Sequence, residues 1–339
     1  MNRRTRRTLW IVAAVLLFLA VAIFLRSKAP PEAARLLPES DGIVYVNLRP
    51  VRAFFHKDLK PPARAPEYQQ FIDAIGIDPE RDLDEAAIAL HRMADPNGPN
   101  GLVACSVVLV GKITGKKLNT WLDAHAVSRE SYAGHTIYNI PSDKGRIDRV
   151  AQIGYDMVAV SNYPTPEMIH SMLDRHATAA WPFAGSSLLS RHYHEVPLLS
   201  MAWGVGQIGL PFSESGEIRI FGFSLPLEAD STIIASITPA LSLGGALHVK
   251  VVEIAPSMDI AASQANALNL LLISSRIFTA PLADNAANNS LKELLKTAEI
   301  TQKRDRVIIT ATLSSALFSG PAGNENSVPD ASAGAGAAR

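Results

Sequence analysis

Residues 149–160, RVAQIGYDMVAV, hold two short apolar runs parted only by Gly154-Tyr155-Asp156. The runs Arg149–Ile153 and Met157–Val160 have strand composition, and a three-residue break containing glycine closes them into a tight antiparallel hairpin. Upstream, Leu102–Val110 is apolar at both parities, as a strand buried on both faces would be. It is followed by an amphipathic helix over Lys116–Ala126, with Leu118, Trp121, Leu122 and His125 on one side, and by a strand over His135–Ile140. Downstream, Pro164–His176 reads as a helix, with Thr165 as N-cap and Pro166 at its first position.

Nearer the start, Gly42–Leu48 reads as a strand ended by Pro50, and Glu67–Ile75 as a helix stopped at Gly76. Ala86–Leu90 is a short apolar run ahead of the turn-rich DPNGPNG at 95–101. The second half has a similar rhythm. Leu198–Val205, Ile218–Leu225, Thr232–Ile237 and Ala246–Ile254 read as strands, with a hairpin turn at Gly244-Gly245. A long Ala/Leu helix runs over Ser257–Ile277, and a capping-box spacing at Ser290–Glu293 opens another. Glu299–Gln302 and Arg306–Leu313 then close a hairpin around Lys303-Arg304-Asp305. Each half ends in a hairpin with an Asp in its turn (Asp156, Asp305), which reads as a weak internal duplication of an antiparallel β-α-β-β unit. The expected class is α+β: antiparallel or mixed sheets, helices packed on one face, and two related halves.

At 339 residues the chain suits about two domains. Its 47% hydrophobic content supplies a core. Lys+Arg and Asp+Glu are equal at 32 each, which argues against a general nucleic-acid binder, because phosphates call for a basic surplus. The single cysteine, Cys105, excludes an internal disulfide and any multi-cysteine metal site. Arg3, Arg4, Arg6 and Arg7 precede an apolar run of 17 residues from Leu9 to Leu25, with Trp10 at one end. That run is longer than the core of a cleaved signal peptide, and no A-x-A follows it, so it reads as a single-pass transmembrane signal anchor. The arginines favour a cytoplasmic N-terminus, against Arg26, Lys28 and Arg35 on the far side.

The expected organisation is a cytoplasmic tail at 1–8, a membrane anchor at 9–25 and a proline-bearing stalk at 26–38. A first α+β domain follows at 39–182, a second at 183–318, and a disordered Gly/Ala/Ser/Asn/Pro tail at 319–339. The globular part is expected in the periplasm, where a lone thiol has no second thiol to mispair with.

Chemical motifs resolve mostly into structural readings. Gly204-x-Gly206-x-x-Gly209 follows a strand and Glu228 lies downstream, yet Pro211 and a strand from Ile218 leave no room for the helix a dinucleotide needs. Gly111-Lys112-Ile113-Thr114-Gly115-Lys116-Lys117 has three residues between its glycines, not the four of a P-loop, and Lys117 replaces the Ser/Thr. His192-Tyr193-His194-Glu195 lacks a matching second ligand pair, and His170 and His176 diverge on their helix; His125 and His135 are isolated. In the acidic stretch Asp78, Glu80, Asp82, Asp84 and Glu85, Pro79 and Arg81 interrupt the calcium-loop pattern. No G-x-S-x-G occurs, and Cys105 sits mid-strand as a structural thiol. No catalytic, cofactor or metal residues are therefore assigned.

Ser131-Tyr132-Ala133-Gly134-His135-Thr136-Ile137-Tyr138, with Asp174-Arg175-His176 and Gly76-Ile77-Asp78-Pro79…Asp82-Leu83-Asp84, resembles a group of uncharacterised bacterial membrane-anchored proteins with a Tyr-x-Gly-x-x-Ile-Tyr strand motif. The resemblance spans about residues 40–195 and implies no activity. Three functional readings stand. The first is a membrane-tethered extracytoplasmic interaction or scaffold protein with a protein partner. The second is an extracytoplasmic binding protein for a hydrophobic or lipid-like ligand held between the halves. The third is a hydrolase with a dispersed site.

Overall fold

The computed structural model describes residues 29–55, 64–113, 115–178, 185–207, 218–220, 223–225, 231–240, 246–281 and 286–313, together with Val12 and residues 17–19. In chain order the elements are α1 (Glu32–Leu36), β1 (Gly42–Asn47), α2 (Leu48–Phe55), α3 (Pro66–Ile75), α4 (Pro79–Asp82), β2 (Leu83–Arg92), β3 (Val103–Gly111) and α5 (Lys116–His125). Then come β4 (Ser128–Tyr132), β5 (His135–Pro141), β6 (Ile147–Gln152), β7 (Met157–Ser161), α6 (Glu167–Ala177) and α7 (Ser187–His192). The second half supplies β8 (Ala202–Gln207), β9 (Ile218–Ile220), β10 (Phe223–Leu225), β11 (Thr232–Pro239), β12 (Leu247–Ile254), α8 (Met258–Thr279), α9 (Ala286–Thr297), β13 (Glu299–Lys303) and β14 (Arg306–Leu313).

Twelve of these strands form one sheet in the order β13-β14-β12-β11-β8-β1-β2-β3-β7-β6-β5-β4. Every neighbouring pair in it is antiparallel. The two halves meet at its centre, where β1 pairs with β8. On each side a three-stranded meander runs outward, a helical segment follows, and the returning strands lay the last of them beside the third: four strands, β4 to β7, put β7 against β3, and the hairpin β13–β14 puts β14 against β12. The register repeats as well. Tyr45–Ala87–Val108–Ala159–Ala151 line up across the first half. Val205–Ile234–Val252–Ile308–Thr301 line up across the second. Each row starts in a seam strand, β1 or β8, and runs outward through the corresponding strands of its half.

One face of the sheet carries the main core. Tyr45, Ala87, Val108, Ala159, Trp203, Val205 and Ile234 are buried there. Over them lie Ala33, Ala34 and Leu36 of α1, Ile169, Met172 and Leu173 of α6, and Leu189 of α7. The alanines of α1 let a five-residue helix sit close, and the apolar spacing i, i+3, i+4 of α6 gives it a buried stripe. Ser186 starts α7, its hydroxyl accepting from Leu189 N–H at 3.3 Å.

The other face is covered at its two flanks. On the first half, Leu118 and Leu122 of α5 pack with Ile75, Ile77 and Val158. Phe71 of α3 meets Trp121 edge-on at 5.6 Å. α3 stops at Gly76, whose φ of +71° is a left-handed cap; a Cβ there would also strike Lys117 Cδ at 2.8 Å. On the second half, Ala261, Ala265 and Leu268 of α8 pack with Val307, Ile300 and Ile309.

This architecture corrects the expected fold in three respects. The sheet is a single antiparallel one running through both halves, not mixed and not one sheet per half, because β1 and β8 pair directly. Helices cover both of its faces, not one, because α5 and α8 follow the third strand of each meander and fall on the side away from α1, α6 and α7. The expected single-pass membrane anchor is not upheld either. Among the described residues no helix is long and apolar enough to cross a membrane. The longest, α8, carries Asp259, Gln264, Asn266, Asn269 and Arg276 and packs against the sheet. The run from Leu9 to Leu25 lies outside the described residues except for Val12 and residues 17–19, which are helical and exposed. At 17 residues it is also shorter than the roughly 20 usual for a spanning helix.

Two local boundaries shift for clear reasons. The strand expected from Leu198 begins at Ala202, because Pro197 lacks an N–H and Leu199 turns to a φ of +69°. The strand expected over Ile218–Leu225 divides into β9 and β10, which among the described residues pair with each other in a separate two-stranded sheet. The expected turn at Gly244-Gly245 and the tail from 319 lie outside the described residues.

Candidate functional site

The centre of the second face is apolar and uncovered by either helical flank. Its middle row crosses six strands as Val251–Ala235–Gly204–Val44–Ile88–Val107. Beside it run Val249, Ile237, Ala202, Val46 and Ala86 in the same register. All are only half-buried, and none belongs to the three packed clusters of the core. The same middle row continues into Ile309 and Ile300 beneath α8, and into Val160, Val150 and Tyr138 beside α5. The result is a trough between two helical walls. Five strand spacings make it about 24 Å wide.

Its floor has no polar side chain in these two rows, and its backbone groups are spent on the ladders of a continuous sheet. At its middle Gly204 opens the floor further: a Cβ there would meet only Ile43 O at 3.5 Å and Val44 Cγ2 at 3.7 Å, both from the neighbouring strand. Cys105 lies at the edge of the trough, two residues from Val107 on the same side of β3. It is half-buried, and burial pushes its thiol up. Contiguous half-exposed apolar surface of this extent is unusual on a soluble chain without a ligand or partner.

A polar chain lies buried on the opposite face. His91 Nε2 is 2.9 Å from Ser106 Oγ, and Ser106 Oγ is 3.0 Å from Ser161 Oγ. Ser161 Oγ in turn accepts from Tyr163 N–H, and the Tyr163 ring meets His91 edge-on. Burial pushes the His91 pKa down, against a partly offsetting pull from Asp41 and the Glu39 carbonyl. A histidine beside a serine invites comparison with a nucleophile and its base. Here His91, Ser106 and Ser161 are 5%, 0% and 1% exposed, so no substrate reaches them. The group is a satisfied core network.

The residues weighed from sequence fall apart in space or into structural roles. Gly204 and Gly206 lie in β8, and Gly209 lies outside the described residues. Gly111 ends β3 and Gly115 precedes α5, with Thr114 outside the described residues. His192 closes α7, and His194 and Glu195 form a 3-10 turn in which Glu195 accepts from Arg306 at 2.5 Å. Burial pushes the Glu195 carboxyl up, but Arg306 outweighs it and holds it low. His170 and His176 point to different partners. His170 is 2.7 Å from Glu130 and stacks on Tyr132 at 3.8 Å, while His176 meets His135 at 6.0 Å. His125 Nδ1 is 2.8 Å from the Trp121 carbonyl.

Four of the five carboxylates of the acidic stretch are paired with arginines. Arg64 reaches Asp78 and Glu80, Arg81 holds Asp82, and Arg49 and Arg52 hold Asp84. Arg81 keeps the Asp82 carboxyl below the usual range, and Arg49 does the same for Asp84. Among the described residues no group of three or more His, Cys, Asp or Glu is arranged to hold a metal ion. Sequence reasoning missed both the trough and His91. The signal for the trough was present in β1, where Ile43, Val44, Tyr45 and Val46 are apolar at both parities although the sheet is antiparallel.

Fold and site together define an open-sheet α+β protein whose most distinctive surface is an apolar trough uncovered among the described residues. No protein family model and no curated relative matches the chain. Among solved structures, crystal form III of TP0453 is 11% identical, covering 86% of this chain and 97% of that one at a TM-score of 0.44. Crystal form IV of TP0453 is 12% identical, covering 86% and 95% at 0.45. Likeness at this distance carries no functional argument.

Proposed function

We propose that this is a non-catalytic binding protein for an apolar, chain-like ligand, working outside the cytoplasm. The observation that carries the reading is the trough around Gly204 and Val44, apolar across six strands and, among the described residues, uncovered between α5 and α8. A floor that offers no hydrogen bonds favours an occupant that needs none, such as a hydrocarbon chain. A peptide in extended form would bring N–H and C=O groups that the floor leaves unsatisfied. Each methylene removed from water contributes up to about 0.8 kcal/mol. The inaccessible His91–Ser106 pair supports a role without hydrolysis. The single free thiol supports the extracytoplasmic setting.

The test uses Cys105 as a unique attachment point for an environment-sensitive naphthalene dye. Titrating the labelled full-length chain with palmitate should give a saturable blue shift. No shift, or one that grows without saturating as on any greasy surface, sinks the reading.

A further inference from the structure

The twelve-stranded sheet is open, so its edge strands, β4 and β13, each leave one side of their backbone without a ladder partner among the described residues. The two edges are not equally available. Along β4 the side chains are tied to their own chain. Ser128 Oγ accepts from Asn139 at 2.9 Å, Arg129 pairs with Asp123 at 2.9 Å, Glu130 is 2.7 Å from His170 Nε2, and Tyr132 OH donates to Asp174 at 3.0 Å. Along β13, Glu299, Thr301 and Lys303 are exposed, and among the described residues none of these side chains has a hydrogen-bond or ion-pair partner. We propose that β13 is the pairing edge of a two-fold dimer of this chain, in which the sheets of two copies join antiparallel and α8 packs against its copy across the join.

Charge complementarity commits the edge to a second copy. The strand reads Glu299-Ile300-Thr301-Gln302-Lys303, acidic at one end and basic at the other. Antiparallel pairing about Thr301 sets Glu299 of each copy opposite Lys303 of the other, with Thr301 opposite its own copy between the two pairs. Opposite charges and facing threonines are favourable cross-strand neighbours. A shift of two residues breaks both charge pairs, and a shift of four sets like charge on like, so the charges also fix the register. A lysine on an edge strand ordinarily repels a second strand. Here the glutamate at the other end of the same strand turns that guard into a contact selective for this chain.

The helix above the edge carries the same two-fold logic. The axis of such a pair is perpendicular to the sheet, so both copies of α8 fall on one face and run antiparallel. α8 sits over β13 and β14 together, its Ala261, Ala265 and Leu268 meeting Ile300 of β13 and Val307 and Ile309 of β14. It therefore lies one strand spacing from the join, which brings the two helix axes about 10 Å apart, close enough to pack. The flank facing the join is marked by Arg276, which donates to the carbonyls of Leu295 at 2.8 Å and Ala298 at 2.7 Å, in the chain entering β13. On that flank, at helical spacing, lie Met258, Ala262, Asn266, Asn269 and Ile273. Met258 is 60% and Ile273 53% exposed. With the helices crossing near Asn266, Met258 of each copy meets Ile273 of the other, and the Asn266 amides, each both donor and acceptor, face one another. The trough lies beyond the opposite flank of α8 and stays open.

The experiment is sedimentation equilibrium of the full chain at low ionic strength. The chain should show a reversible equilibrium between monomer and dimer. Glu299→Lys and Lys303→Glu should each weaken the dimer about tenfold or more, because each sets like charges opposite one another. Mixed in equal amounts, the two variants should pair with each other as tightly as the unchanged chain pairs with itself, a rescue that also shows both to be folded. Ile273→Asp should weaken the dimer as well. The register is read by oxidative crosslinking in a Cys105→Ser background. Thr301→Cys should form a covalent dimer, and Gln302→Cys, which faces Ile300 of the other copy, should not. A chain that stays monomeric up to high micromolar concentration overturns the proposal. So does a dimer that the charge variants or Ile273→Asp leave intact, or one that the mixture fails to restore. A Thr301→Cys chain that crosslinks no better than Gln302→Cys overturns it too.

Discussion

Tyr45 and Trp203 face each other across the β1–β8 ladder, and their rings stack at 5.4 Å with 26° between planes. They come from different halves of the chain and are both buried, at 3% exposure each. The seam is therefore a core contact and not a domain interface of the loose, polar kind. Trp203→Ala should lower stability by about 3–5 kcal/mol, and a double-mutant cycle with Tyr45 should return a coupling of about 0.5–1.5 kcal/mol. Urea unfolding followed by fluorescence and circular dichroism should show one coincident transition. Two separated transitions would mean that the halves fold independently despite the continuous sheet.

Gly204 separates binding from folding. A Cβ at this position meets its neighbours at 3.5 Å or more, ordinary van der Waals contact, and lies on the trough face of β8. Gly204→Val should leave stability unchanged or raise it by up to about 1 kcal/mol, because a strand glycine gives way to a β-branched residue. The same change raises the floor of the trough at its middle. Palmitate affinity, read from the Cys105 dye, should fall severalfold. Unchanged affinity in a variant of unaltered stability would place the ligand elsewhere.

His91 sets a pH dependence of definite sign. Its folded pKa lies below the ordinary 6.5 because burial disfavours the charged ring. In the window between the two values the unfolded chain binds more protons than the native one, so stability rises with pH there. The contribution is fully present above 6.5 and is lost as pH falls below it. His91→Gln keeps a polar partner for Ser106 and removes the titration, so the slope of stability on the acid side of 6.5 should shrink. Burial lowers His192 in the same direction, so a smaller slope should persist. An unchanged slope in His91→Gln would show that His91 already titrates normally in the fold.

Much of the fold was legible because local signals and tertiary structure agree. The hairpin around Gly154-Tyr155-Asp156 forms β6 and β7, Gly76 stops α3 and Ser257 starts α8, its hydroxyl accepting from Ile260 N–H at 3.2 Å. Turns and caps are local, so a single sequence carries them. The joining of the halves is not local. Nothing within Gly42–Leu48 or Ala202–Gln207 says that the two will pair, since either could have ended a sheet as an edge. The trough escaped for a related reason. Apolar residues at both parities announce a strand covered on both sides, and here the second cover is absent along Val44, Gly204 and Ala235 among the described residues. His91 was silent because Ser106 lies 15 positions from it and Ser161 a further 55, and the three meet only in the sheet.

Glu39 ties three separate elements together at the end of the first face. Its carboxylate accepts from Ser187 N–H at 2.9 Å, from Ser187 Oγ at 2.7 Å and from Arg175 Nη2 at 2.9 Å. It thereby links the segment before β1 to α6 and to the first residue of α7. Burial pushes its carboxyl up, but the Ser187 and Arg175 hydrogen bonds outweigh it and hold the group below its ordinary 4.5. The stabilisation is thus fully present above pH 4.5 and is lost as pH falls through the lowered folded value. The side chain is 58% exposed, so solvent screening limits its worth, and Glu39→Gln should cost no more than about 1 kcal/mol at neutral pH. The loss should shrink as pH falls below 4.5 and through the lowered folded value. A constant difference between the two proteins from pH 7 down to pH 3 would mean that the contacts act by shape alone, with no contribution from the charge.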